Sequence, residues 1–464
     1  MNKLIFVLLI LCAFFANGGA FAHGTAFAND ATQNAADTAK FKLDESLDIG
    51  EVVAEFPVGF CLLTAGGRQY VAYYDAQRHM TVASRTLDST KWDYQILPSK
   101  VGWDSHNYIT MTVDGDGQLH LSGNMHCVPL IYFRTSTPGD ITTLEPITAM
   151  TGKNEKRCTY PKFLRDRHNR LIFKYRDGGS GNGNDIYNVY DPETKSWTRL
   201  MDAPLTDGEG KMNAYVDGPL AGPDGRFHIV WVWRDTPDCA TNHHLSYARS
   251  NDLLRWESAS GDEVALPLTV DKDTLWVDPI PSGGGIINGC EKLTFDSNDR
   301  PVITYHKADS DGHMQIYAAR FEEGHWVRRA LTDWNKPIAF SGRGSMGFIG
   351  IRISALSRVE PGLLTMTYRH RDYGSGRLVI DEKTLRPIDR KLAVAPDYPA
   401  ELNIVESDFE GVSIRRASDL GHSENKNIRY ILQWETLGRN FDRPRKPPLP
   451  PPSLLRLYKL SAAR

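Results

Sequence analysis

The sequence has little cysteine, no excess of charge of one sign and almost no helical periodicity. Each lack removes a class of protein. Of six cysteines in 464 residues, Cys12 falls in the apolar N-terminal stretch, leaving Cys61, Cys127, Cys158, Cys239 and Cys290. An odd number at irregular spacing is no disulfide framework; at most two pairs form, and the others are buried thiols or metal ligands. A formal net charge of −3 and scattered Lys and Arg exclude the electrostatic footprint of a nucleic-acid binder. The one long apolar run, Leu4 to Phe15, is too short for a comfortable membrane span. With Lys3 before it and Ala20-Phe-Ala22 or Ala26-Phe-Ala28 after it, the run reads as an export signal. Residues 1–28 are therefore expected to be signal and leader, and the mature chain a secreted or periplasmic monomer.

What is present is a large fraction of short strands. Hydrophobic residues make up 41% of the chain and aromatics 10%, enough for a sizeable core. Runs such as Tyr70-Val-Ala-Tyr-Tyr74 and Leu363-Leu-Thr-Met-Thr-Tyr-Arg369 are bounded by Asp, Asn, Gly and Pro, the pattern of an all-β chain. Four stretches repeat one another: Gly117 to His126, Asn169 to Arg176, Gly225 to Arg234 and Asp299 to His306. Each opens on an Asp, Asn or Gly turn, runs through an apolar strand and stops at His or Arg. The first three anchors lie 52 and 56 residues apart, about one propeller blade. A fifth copy is expected near Leu363 to Asp372. About seven blades fit residues 40–464, with six or eight as alternatives, so a single all-β propeller is expected. Trp92, Trp197, Trp256 and Trp326 each follow a polar turn and suit outer blade strands. Proline-rich 443–452 reads as a stiff connector, after which Leu454 to Leu460 alternates as a closing strand.

In a propeller, equivalent strand ends converge on one face. That would gather His126, Tyr175 with Arg176, Arg234 and His306. His106 and His126 lie on consecutive strand candidates, so a hairpin could hold both at one rim, where imidazole suits proton transfer near neutrality. A pair of histidines satisfied by backbone carbonyls is the bland alternative. Arg176 could hold a carboxylate, and Tyr160 or Tyr175 could donate a proton. The glycine-rich Gly178 to Asn184 lacks the Lys-Ser/Thr of a phosphate loop, and implies either close approach of backbone to a ligand or tight packing at a rim. His228, Cys239, His243 or His244, and Cys290 are all zinc-type side chains, although their spacing matches no compact zinc motif.

The segments Tyr160-Pro-Lys-Phe163, Tyr175 to Gly183 and Asn242 to Ser250 resemble a BNR-repeat propeller family that includes the ulvan lyases of polysaccharide lyase families 24 and 25. The likeness runs from about Val58 to Tyr368 and is nearer to family 25. The sialidase Asp-box, Ser-x-Asp-x-Gly-x-Thr-Trp, is degenerate here: Ser250-Asn-Asp-Leu-Leu-Arg-Trp256 lacks the Gly and is one residue short. The resemblance implies an exported lyase that cleaves a sulfated, ulvan-like uronate polysaccharide by β-elimination. It implies His106 as base and Tyr160 as acid, or Tyr160 in both roles, with Arg176 neutralising the uronate and His126 orienting or assisting. Asn107, Tyr215, Arg234 and His243 become sugar contacts. It also implies one structural zinc on His228, Cys239, His244 and Cys290, with His243 and His244 interchangeable. A glycoside hydrolase and a non-catalytic glycan-binding propeller are the alternatives.

Overall fold

The computed structural model describes residues 39–463 apart from 422 and 424; the export signal expected over 1–28 lies outside them. Among the described residues the only helical elements are four short 3₁₀ turns, Ile141–Thr143, Cys239–Thr241, Asp273–Leu275 and Ala400–Asn403. The remaining regular structure is strand, in six sheets. The plan is an antiparallel meander, as in Cys61–Ala65, Arg68–Tyr74, His79–Thr86 and Asp93–Lys100, which pair in chain order. The eleven-stranded sheet contains two such meanders, joined by one parallel bridge between Gly183 and Asn213. The strand expected after the proline-rich connector forms at Ser453–Ala462. It pairs with Ile428–Thr436 on one side and with the first strand, Phe41–Val52, on the other.

The repeats have a local cause. At Asp114 one carboxylate oxygen accepts the N–H groups of Asp116 and Gln118, at 3.0 and 2.9 Å, and Gly117 between them sits at φ 83°. Asp166 does the same for His168 and Arg170 around Asn169 at φ 62°, and Asp296 for Asn298 and Arg300 around Asp299 at φ 60°. Gly225, at φ 76°, closes the Gly222 to Arg226 turn. Each repeat anchor is thus the left-handed residue of a hairpin, where only Gly, Asn and Asp are inexpensive. Asp75 with Arg78 and Asp309 with Gly312 build two further copies of that turn.

Strands between neighbours are buried on both faces, so they read as unbroken apolar runs. Phe227–Arg234 is buried from His228 onward. Outer strands are wetter, as in Asp93–Lys100, and two of them are pinned by buried Trp197 and Trp256. Meanders that follow one another in the chain share apolar clusters: Tyr132 with Phe173, Ile172 with Trp231, Val230 with Tyr305, and Ile316 with Met366. Trp434 and Leu455 of the last sheet pack with Val71 of the first. Truncating a fully buried Trp231 to Ala is worth about 3–5 kcal/mol of stability.

Candidate functional site

Asp104 organises the site. It opens a turn in which its Oδ1 accepts the backbone N–H of His106 at 2.9 Å and contacts His106 Nδ1 at 2.7 Å. Its Oδ2 is hydrogen-bonded to Nδ1 of His126. One carboxylate thereby fixes both imidazoles, whose centroids lie 4.4 Å apart. A second carboxylate, Asp442, reaches His106 Nδ1 at 3.2 Å and is itself held by the backbone N–H groups of Ser105 and Ser345. Burial alone would lower the His106 pKa, but the hydrogen bonds and charges of Asp104 and Asp442 raise it to about 9. Burial opposes ionisation of Asp104 too, and its two histidines nonetheless hold it below the usual carboxylate range.

Tyr160 faces this pair, with ring centroids 6.0 Å from His106 and 6.3 Å from His126. It lies in Cys158–Arg165 at a register shift between Thr159 and Lys162 and adopts φ 58°. A bulge re-aims a side chain, and an aromatic residue in the left-handed region costs about 1–3 kcal/mol. Cys127, at φ 58°, carries a similar strain on the neighbouring segment, where Asn124, at φ 57°, takes the left-handed region at little cost. Burial, and then Tyr215, push the Tyr160 hydroxyl pKa upward, with Arg176 opposing, so at neutral pH the phenol keeps its proton.

Arg176 stands opposite Thr159 in the adjoining strand, Leu171–Gly179. Its guanidinium carbon is 4.8 Å from the Tyr160 ring and 5.7 Å from the Tyr215 ring. It is 3% exposed, yet Nε and Nη1 have no hydrogen-bond partner; Nη2 meets Cys127 Sγ at 3.7 Å. A buried guanidinium with unused donors invites an anion. The glycine-rich hairpin beside it is explained by packing: a Cβ on Gly183 would come within 2.5 Å of Asn213 Oδ1 and 3.0 Å of Arg176 Cδ.

The other expected contacts are placed unequally. Asn107 is buried with an unpartnered Oδ1. Tyr215 binds Ser180 Oγ at 2.6 Å and receives Arg234 Nη1 at 3.2 Å. Arg234 also donates to the carbonyls of Thr236, Pro237 and Asp238 in its own loop and to Asn288 Oδ1 at 3.5 Å, so it braces Tyr215. His243 is tied to Asp235 at 2.8 Å and to His244 at 2.6 Å. His306 is buried elsewhere with Nδ1 on the Gly285 carbonyl, and burial lowers its pKa to about 4; it does not join the His106 group.

The zinc set does not assemble. His228 is fully buried with Nδ1 on Tyr247 at 2.6 Å and Nε2 on Asp224 at 2.9 Å, so neither nitrogen is open to a metal. The His244 ring lies tilted against Trp276, centroids 4.6 Å apart, and burial raises the thiol pKa of Cys239 and Cys290. The five cysteines are free thiols. Among the described residues, the clusters with metal-ligand geometry are Asp104, His106 and His126, and Asp309, Asp311 and His313; neither contains a member of that set. Sequence reasoning passed over Asp442, which lies hundreds of residues from His106 and carries no local signal. Asp104 does carry a local signal, since its position two residues before His106 is that of a turn-forming Asp.

Repeated β-meanders ending in a His, Tyr and Arg cluster define a β-repeat protein with a polar, anion-seeking site. The chain belongs to the BNR repeat-containing family, whose pattern matches residues 68–334, more than half its length. It is 27% identical over 143 residues to "Ulvan lyase, long isoform" of Glaciecola sp. (strain KUL10), and 27% identical over 124 residues to the protein of that name from Alteromonas sp. (strain LOR). These matches cover 28% and 25% of this chain and 14% and 12% of the relatives' own length. In fold it is similar to polysaccharide lyase Uly1, with a TM-score of 0.59 and 14% identity over 90% of this chain and 99% of that one. A family 25 ulvan lyase bound to -[GlcA(1-4)Rha3S]- gives 0.55 and 12% identity over 89% and 95%. Among the described residues no helix is long and apolar enough to cross a membrane.

Proposed function

We propose that this chain is an exported lyase that cleaves a uronate-containing, sulfated polysaccharide of the ulvan type by β-elimination, on a single propeller of seven four-stranded blades. The observation that carries the reading is the buried, under-bonded guanidinium of Arg176, set against Tyr160 beside two histidines that share one carboxylate. The named activity of the partial relatives points the same way.

Elimination at a uronate needs three groups. A cation must offset the carboxylate, since a carbanion next to an ionised acid is prohibitively unstable; Arg176 fills that part. A base must take the C5 proton, and an acid must protonate the departing glycosidic oxygen. As that proton leaves, its bonding pair forms the C4–C5 double bond, and the C4–O4 pair departs with the oxygen. The charge pattern revises the roles that the resemblance implies. With Asp104 and Asp442 both on its Nδ1, His106 keeps its proton at neutral pH and serves as an imidazolium beside the uronate. His126, whose Nδ1 faces Asp104, offers the lone pair of Nε2 as base. Tyr160, neutral and facing both rings, donates the proton.

The test is to mix the purified protein with ulvan and other uronate polymers and follow the ultraviolet absorbance of the unsaturated uronate. A rise on ulvan supports elimination; reducing ends without that absorbance would sink it in favour of hydrolysis.

A further inference from the structure

One thiol touches the site without taking part in this chemistry. Cys127 lies in His126–Val128, which pairs with Cys158–Arg165 through Val128 opposite Cys158 and His126 opposite Thr159. That register leaves Cys127 as the extra residue of a bulge, at φ 58°, with its N–H donating to Thr159 Oγ1 at 2.8 Å. The sulfur is ringed by polar atoms. It donates to Gly178 O at 3.3 Å, accepts from Thr159 Oγ1 at 3.6 Å and meets Arg176 Nη2 at 3.7 Å. Of the five described cysteines, Cys127 alone is not buried. Burial raises the pKa of the other four thiols, to about 12 at Cys61 and Cys158, which leaves them unreactive. Arg176, whose Nη2 is the atom on the sulfur, is 3% exposed and has no partner for Nε or Nη1. An anion made on Cys127 would therefore be held by the same guanidinium that is given to the uronate.

We propose that Cys127 is an oxidative modification site, where hydrogen peroxide converts the thiol to a sulfinate that occupies Arg176 and closes the site to the uronate. This rests on the part given to Arg176 above. The sulfur attacks one peroxide oxygen, the O–O bond breaks, and the departing hydroxide leaves with the thiol proton as water, giving a sulfenic acid. A second peroxide adds the second oxygen in the same way. Sulfur is oxidised and each peroxide is reduced to water. The product ionises to an anion with two oxygens on one centre, as in the carboxylate it displaces. The 3.7 Å from Sγ to Nη2 leaves room for one of those oxygens between them.

The full chain carrying Tyr160→Phe, in which turnover is blocked, is treated with hydrogen peroxide, mapped by peptide mass and titrated by calorimetry with two-repeat ulvan oligosaccharides. Cys127 should gain two oxygens while the other described cysteines gain none. Binding should then weaken ~10- to 100-fold, against about twofold at most once Cys127→Ala is added. An unmodified Cys127, or an equal loss in Cys127→Ala, overturns the proposal. A second pair of variants needs neither peroxide nor sugar. Aspartate imitates the sulfinate and asparagine is its neutral counterpart, and both accept the left-handed backbone of residue 127. Cys127→Asp should melt above Cys127→Asn, and the difference should vanish when Arg176→Gln is added to both. A lower or equal melting temperature for Cys127→Asp would mean that Arg176 takes no anion from this position, which also overturns the proposal. The two readings fail separately. If the untreated chain binds no ulvan, the polysaccharide reading fails, and the mass map with the melting comparison decides the modification site. If the parent chain eliminates but is indifferent to peroxide, elimination stands and the modification site falls.

Discussion

His106 with His126, and His120 with His228, are two pairs built from the same parts and put to opposite uses. His120 and His228 each follow a hairpin anchor by three residues. Each ring spans a carboxylate and a tyrosine: Asp114 at 3.1 Å and Tyr132 at 2.7 Å, or Asp224 at 2.9 Å and Tyr247 at 2.6 Å. Both nitrogens are consumed inside one sheet unit, burial lowers both pKa values, and the rings act as polar core. At the site, both Nδ1 atoms share Asp104, and the ring faces turn to Tyr160. A histidine is therefore assigned by how many of its nitrogens the fold itself consumes, which residue type does not disclose.

The largest expected effect breaks the site and spares the core. Tyr160→Phe and Arg176→Ala should each lower elimination by at least ~10³-fold while the melting temperature stays near that of the parent. Retention of activity in Tyr160→Phe would remove the phenol from the mechanism.

Next come the carboxylates. Asp104→Asn frees both histidines at once and should cost ~10²–10⁴-fold in kcat, by analogy with loss of the carboxylate that sets a catalytic histidine's tautomer. Asp114→Ala leaves Nε2 of a buried His120 unpaired and should cost about 1–3 kcal/mol of stability with kcat and KM unmoved. If Asp114→Ala also lowered kcat, the division between the two pairs would fail.

The pH dependence of stability sharpens the comparison, because the signs oppose. The His106 pKa is raised from 6.5 to about 9, so its contribution is fully present below 6.5 and is lost as pH rises through 9. That contribution is worth about 3 kcal/mol, and His106→Gln should flatten this alkaline limb of the unfolding curve. His228 is held below 6.5, so its contribution is present above 6.5 and is lost as pH falls through its folded value. His228→Gln should leave the alkaline limb untouched. Urea unfolding across the pH range reads both.

The repeats were legible because their cause is local: residues 117, 169, 225 and 299, picked out as turn anchors, are the left-handed positions. Arg176 was legible as the arginine that ends a repeat, and Tyr160 only as one of two tyrosines that could donate a proton; the resemblance chose between them, since nothing in a strand tyrosine announces a bulge. Asp442 was not, because the contact that gives it meaning closes over hundreds of residues. Arg234 was read as a sugar contact because a strand-end arginine carries no sign that carbonyls of its own loop will take its donors. The zinc set failed for the reason that misassigned His228: ligand types were counted without knowledge of which partners the fold supplies.

That failure gives the smallest prediction. A structural zinc on Cys239 would make its loss ruinous, since such sites contribute folding energy outright. In this structure Cys239 is a buried free thiol that opens a 3₁₀ turn, its backbone N–H donating to Gly342 O at 2.7 Å while Asp238 caps the turn. Cys239→Ala removes one sulfur and none of those backbone bonds, and should cost about 1 kcal/mol or less. Prolonged dialysis against a chelator should move the melting temperature of the parent and of Cys239→Ala equally. A drop confined to the parent would mean that this thiol does hold a metal, and the histidines of the 242–244 segment would then have to leave Asp235 and each other to join it.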